Sequence, residues 1–133
     1  IGMGAEVIYI GSTSVVAGKI YYYDNTSWTL TNASTASSAA ARNLLGVACG
    51  DGAANSVGMC VRGMVTVVDT GSAEDGGDAL FLSGSTAGSA TSLAPTDSGH
   101  TVRVIGYMIT PSTTSSDPDA IFFSPDNTFV EID

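Results

Sequence analysis

Apolar runs of four to eight residues, rich in Val, Ile, Tyr and Phe, alternate along this chain with clusters of Gly, Ser, Thr and Asp. Runs this short, bounded by turn residues, read as strands; a helix needs a longer stretch with an apolar stripe at its own period. The pattern predicts strands at Glu6–Ile10, Lys19–Tyr23, Trp28–Thr31, Leu45–Cys49, Val57–Val68, Ala79–Leu82, Val102–Ile109, Ala120–Phe123 and Phe129–Ile132. Asp24-Asn25 and Asp51-Gly52 suit tight turns with positive φ. The Ala/Ser tract Ala33–Arg42 lacks an apolar stripe and reads equally as a helical turn or two or as a loop. The expected fold is all-β, a small sandwich or barrel with long polar loops.

Two segments read as degenerate copies. The first runs "GKIYYYDNTSWTLTNA…LLGVACGDGAANSVGMCVRG" and the second "GDALFLSGSTAGSATSLA…RVIGYMITPSTTSSDPDAIFF". Gly18 answers Gly77 and Gly46 answers Gly106. A repeat this long, present only twice, is not a solenoid. It predicts one domain over residues 1–133 made of related halves, 18–68 and 77–132, with 1–17 as an N-terminal arm.

Composition changes this picture in one respect. Charged residues are only 13% of the 133, and apolar ones 44%; about a quarter charged is usual. Ser, Thr, Asn and Gly must cover much of the surface, or subunits must bury it. Thirteen acidic residues against Lys19, Arg42, Arg62 and Arg103 give a net charge of −9. Nucleic-acid binding draws its affinity from clustered cations on phosphates, so four scattered ones exclude a direct nucleic-acid partner. No stretch is long and apolar enough to cross a membrane as a helix, so no membrane contact is expected. The chain begins Ile1-Gly2-Met3, which reads as a trimmed start.

Candidate chemistry is thin. "GDALFLSGSTAG", Gly77 to Gly88, resembles a phosphate loop in its glycines. It carries no lysine, and the Ser/Thr-rich segment after Gly88 cannot sustain a helix. "GSTAG" has its serine in the wrong register for a nucleophile elbow. His100, the sole histidine, stands three residues after Asp97, and a Ser/His/Asp arrangement would have to use this pair; an exposed turn histidine is the simpler reading. Glu74, Asp75 and Asp78, and Asp117 with Asp119, offer hard oxygen ligands without the spacing of a calcium loop, and read as solvated acidic turns. Cys49 and Cys60 read as small buried hydrophobes, with a cross-strand disulfide as the alternative and too few partners for a metal. No cofactor is implied and no enzyme activity is expected.

Strands apolar on both faces are the stronger signal. Tyr21 and Tyr23 share one face of their strand, Ile20 and Tyr22 the other. Together with Trp28 these tyrosines suggest a sugar-stacking platform or, more simply, core packing. In "TVRVIGYMI" alternation puts Val102, Val104 and Met108 on one face and Ile105, Tyr107 and Ile109 on the other; "MCVRGMVTVV" is similarly two-sided. More apolar surface than one small core can bury argues for association with itself. The candidate oligomer or capsid interface is Tyr21, Tyr23, Val61, Met64, Ile105, Tyr107 and Ile109.

The order "AGKIYYY…LLGVACGD…VGMCVRGMVTV" resembles the small β-rich capsid decoration (cement) proteins of tailed bacteriophages. The second half, closing with "IFFSPDNTFVEI", is similar to C-terminal modules of phage head-fibre, tail-fibre and decoration proteins. The resemblance implies a non-enzymatic virion component, a homotrimer on the outer capsid surface. It would contact the major capsid protein or another virion protein, with Ile1–Gly18 as a seating arm. A fibre or receptor-binding module touching host glycans through Trp28 or Tyr107 is the alternative it implies. The polar insertion Ala33–Asn43 and the loop Pro111–Asp119 fit neither role.

Overall fold

A computed structural model describes residues 5–33, 43–68, 75–111 and 119–132. Its strands are β1 (Glu6–Ile8), β2 (Ser14–Val15), β3 (Ile20–Asp24), β4 (Ser27–Leu30), β5 (Leu45–Ala48), β6 (Gly52–Ala53), β7 (Met59–Val67), β8 (Ala79–Leu82), β9 (Ala90–Thr91), β10 (Thr101–Val102), β11 (Val104–Thr110), β12 (Asp119–Phe123) and β13 (Val130–Glu131). One short helix, α1 (Ala54–Val57), interrupts them. The fold is all-β, as the alternation predicts. The missed elements are the two-residue strands β2, β6 and β9 and the single turn α1, all too short to carry a period.

The main sheet has the order β4-β3-β5-β7-β12-β11-β8-β9, with β1 added beside β7. Read from either end it is the same topology: a hairpin, a strand against the hairpin's first strand, then a fourth strand, so β3, β4, β5 and β7 correspond to β8, β9, β11 and β12. The registers agree too. Tyr21 stands opposite Gly46, and Leu80 opposite Gly106. Val47 opposite Cys60 is matched by Tyr107 opposite Phe122.

Each half opens with the same irregularity. Gly18 N–H donates to Ala48 O, whose own N–H donates to Lys19 O; Gly77, Met108 and Asp78 repeat this arrangement. Two residues facing one, with a left-handed glycine first (φ 80° and 95°), make a glycine bulge. "GK" and "GD" are thus the entry kinks of two equivalent hairpins. Asn25, at φ 62°, closes the β3–β4 turn as its type predicts.

The ends of the sheet approach each other. Thr31 and Ala33, just past β4, are bonded to Gly88, Ser83 and Thr101 near the opposite end. The curled sheet encloses one core drawn from both halves, including Ile20, Leu45, Val47, Leu80, Met108 and Phe123. A second apolar cluster of Tyr21, Trp28, Ala48 and Met59 lies on the other face of the first half. It is roofed by residues 8–16 and 53–57: Trp28 Nε1 donates to Ile10 O, Tyr21 Oη accepts from Val16 N–H, and Val15, Ala54 and Val57 fill the contact. The predicted arm, as far as it is described, is therefore a strap folded onto the body, with β1 paired to β7.

Gly46 lies beneath this roof, where a Cβ would sit 3.2 Å from the indole of Trp28. Gly106 has no room either, since a Cβ there would strike the carbonyl oxygen of Phe122.

Candidate functional site

Equivalent strands of the two halves turn opposite faces to the shared core. Ile20, Val47 and Cys60 are fully buried in it, while their counterparts Ala79, Tyr107 and Phe122 face outward. Conversely Tyr21 and Met59, under the strap, correspond to Leu80 and Ile121, deep in the core. The switch occurs along β7, where Cys60 enters the core from one parity and Val65 and Val67 from the other, with Gly63 at φ 123° between them. The halves thus stack in the same sense, and the outward face of the second half has no strap among the described residues.

That open face carries Met64, Phe81, Tyr107, Ile109 and Phe122, with Tyr107 45% and Ile109 43% exposed. Arg62 borders it: the guanidinium carbon lies 5.7 Å from the Phe122 ring centroid, and Nε donates to Ser124 Oγ at 3.4 Å. A groove of about 460 Å³ runs along the border, lined by Val61, Arg62, Tyr107, Ser124 and Asp126. A smaller one of about 250 Å³ continues past Arg62 to Glu6, Leu44 and Arg103. Arg103 is a clamp, not a free cation. Its Nε donates to Asp126 O at 2.7 Å and its Nη1 to Asn43 O at 3.1 Å, and its guanidinium carbon lies 5.6 Å from the Phe129 ring centroid. Burial lowers its pKa, with Asp126 opposing.

The predicted interface residues divide. Met64, Tyr107 and Ile109 share the open face, and Val61 lines the groove beside it. Tyr21 and Tyr23 belong to the strapped cluster, Tyr21 as a buried member. Ile105 is in the core, so it offers no surface. Simple alternation paired Ile105 with Tyr107 and separated Val104 from them. A register shift between Val104 and Gly106 inserts one residue, which swings Ile105 inward while Tyr107 stays out. Arg62, Phe81 and Phe122 were missed as surface residues; the alternation in "DAIFF", which sets Phe122 opposite Ile121 and Phe123, is the signal that could have found Phe122.

Among the described residues, the remaining candidates fall elsewhere in the molecule. Trp28 is 2% exposed, which removes it as a sugar platform. Ser83, Ser85, Asp97 and His100 do line one cleft of about 280 Å³. Ser83 Oγ accepts the N–H groups of Ser85 and Thr86, which holds the turn. His100 Nε2 is 3.9 Å from a largely exposed Asp97, and its ring packs on Gly84. Asp78 accepts the N–H of Asp75 within its turn, and Asp119 is buried. Glu74 and Asp117 lie outside the described residues. Among those described, no three His, Cys, Asp or Glu side chains group to hold a metal. Cys49 and Cys60 are free thiols; burial foremost, then the neighbouring Cys49, pushes the Cys60 thiol up to about 11.

No described helix is long and apolar enough to cross a membrane. Comparison of the chain with protein-family models, with curated proteins and with solved structures returned no match.

Proposed function

We propose that this chain is a non-enzymatic structural protein of a phage virion, a decoration protein that bridges neighbouring subunits on the outer shell. The observation that carries this reading is the placement of exposed apolar residues on opposite sides of one core. Tyr107 and Ile109 project from the open face of the second half, and Tyr9, Ile10 and Val16 from the strap over the first. Two separated apolar surfaces on a chain of net charge −9 are what a clamp between two proteins needs. Acidic charge suits a surface turned away from packaged DNA.

The reading is tested by adding the purified chain to mature capsids lacking decoration protein. Saturable binding that raises their resistance to heat is expected, and Val16→Asp should weaken it. Failure to bind any capsid overturns the reading. Deployment along a fibre is the alternative, for which exposed Tyr107 is the remaining glycan-facing aromatic. Imaging of the assembly separates them: knobs spaced over a shell against density along a stalk.

A further inference from the structure

We infer that the open face of the second half is a self-complementary interface, on which a second copy of this chain packs about a two-fold axis. The inference rests on the internal repeat, not on the reading above, and bears on it in one respect: a dimer closed on this face leaves its two straps, one from each copy, as the surfaces that meet the shell.

Tyr107 and Phe122 occupy the positions that Val47 and Cys60 occupy in the first half. There the face is covered by the other half and forms one wall of the core. The open face is therefore a second edition of a surface that this fold already buries, left without a cover among the described residues. The substitutions suit a surface that must also survive in water. Val47 is replaced by tyrosine, which has an apolar body and a polar tip, and aromatic residues are those that interfaces favour.

The occupant is identified by elimination within the molecule. A second copy cannot offer the face that normally provides the cover. In its second half that face is in the core, and in its first half it lies under the strap, pinned by Trp28 Nε1 to Ile10 O and Val16 N–H to Tyr21 Oη. A second copy presents its own open face, and like against like is the isologous arrangement that closes as a dimer; packing on the strap's exposed Tyr9, Ile10 and Val16 would be heterologous and would not close at two copies. Charge agrees. Arg62, stacked on Phe122, and Asp126 both line the groove at the border of the face. A two-fold axis passing between these two residues sets the cation of each copy against the carboxylate of the other.

The experiment is sedimentation equilibrium of the purified full chain over a hundredfold range of concentration, with Ile109→Glu and Tyr107→Ser beside it. The wild type is expected to fit a monomer–dimer equilibrium. Each variant should weaken dimerisation at least tenfold while keeping the wild-type near-ultraviolet circular dichroism. Val16→Asp, on the opposite side, should dimerise as the wild type does. A monomeric wild type at all concentrations overturns the inference, as does a trimer lost in Ile109→Glu, which would place a ring contact on this face. Dimers that persist in both folded variants overturn it too. Should one variant lose its dichroism, the other decides. Capsid binding by a monomeric wild type would sink this inference and leave the decoration reading standing; a dimer that binds no capsid would do the reverse.

Discussion

Thr31 is wholly buried, and its hydroxyl finds no hydrogen-bond partner among the described residues. A polar group desolvated without compensation costs about 1–3 kcal/mol. Valine has the same branched shape without that group, so Thr31→Val should raise the unfolding free energy by about 1 kcal/mol. Urea denaturation will show this as a higher midpoint at unchanged slope. Cys60 gives a pH-dependent counterpart. Its thiol is pushed from 9.0 to about 11, so the fold favours the neutral form. Stability from this source is intact below pH 9 and is lost as pH rises toward 11. The wild type should therefore lose more stability than Cys60→Ala between about pH 8 and about pH 10.5 in paired denaturation curves.

At the scale of elements, the two glycine bulges form a natural pair for comparison. Both need a left-handed φ, which costs an L-residue about 1 kcal/mol. They differ in surroundings: a Cβ on Gly18 would lie 3.0 Å from Val68 N, whereas one on Gly77 meets nothing within 4 Å. Gly18→Ala should therefore destabilise more than Gly77→Ala, by a margin measurable in thermal unfolding; equal effects would mean that only the backbone conformation matters. These glycines also show how far the sequence could be read. "GK" and "GD" were recognisable as matching starts because the bulge demands glycine at one fixed place. The alternating strands were legible for a similar local reason. The strap was not, because β2 and α1 are held against Trp28 and Tyr21 through Val15, Ala54 and Val57, β6 is held by pairing with β2, and their own few residues carry no periodic signal. Nor was the inward turn of Ile105, since a bulge in β11 is decided by the strand beside it.

On the scale of the whole molecule, alternation could reveal that many strands are apolar on both faces but not which second face stays open. That depends on how the halves stack, and equivalent positions such as Val47 and Tyr107 look alike in a pattern of apolar residues. Charge then sets the conditions for association. With net charge −9, two copies repel at distance even if their contacting faces are nearly uncharged. Raising salt shortens the range of that repulsion. Dimerisation measured by sedimentation should strengthen on going from about 20 mM to about 200 mM salt; weakening would indicate an interface dominated by opposite charges.

The shared strand β7 has a further consequence, for how the chain reaches its fold. Here the last strand of the first half continues through Gly63 into the strand that pairs with β12 of the second. Neither half owns a complete core, because Ile20 and Val47 from one are covered by Leu80 and Phe123 from the other. The chain must bring together segments about a hundred residues apart before either half gains much, which favours slow, all-or-none folding. A cut at Gly63 would yield two chains that fold only in each other's presence.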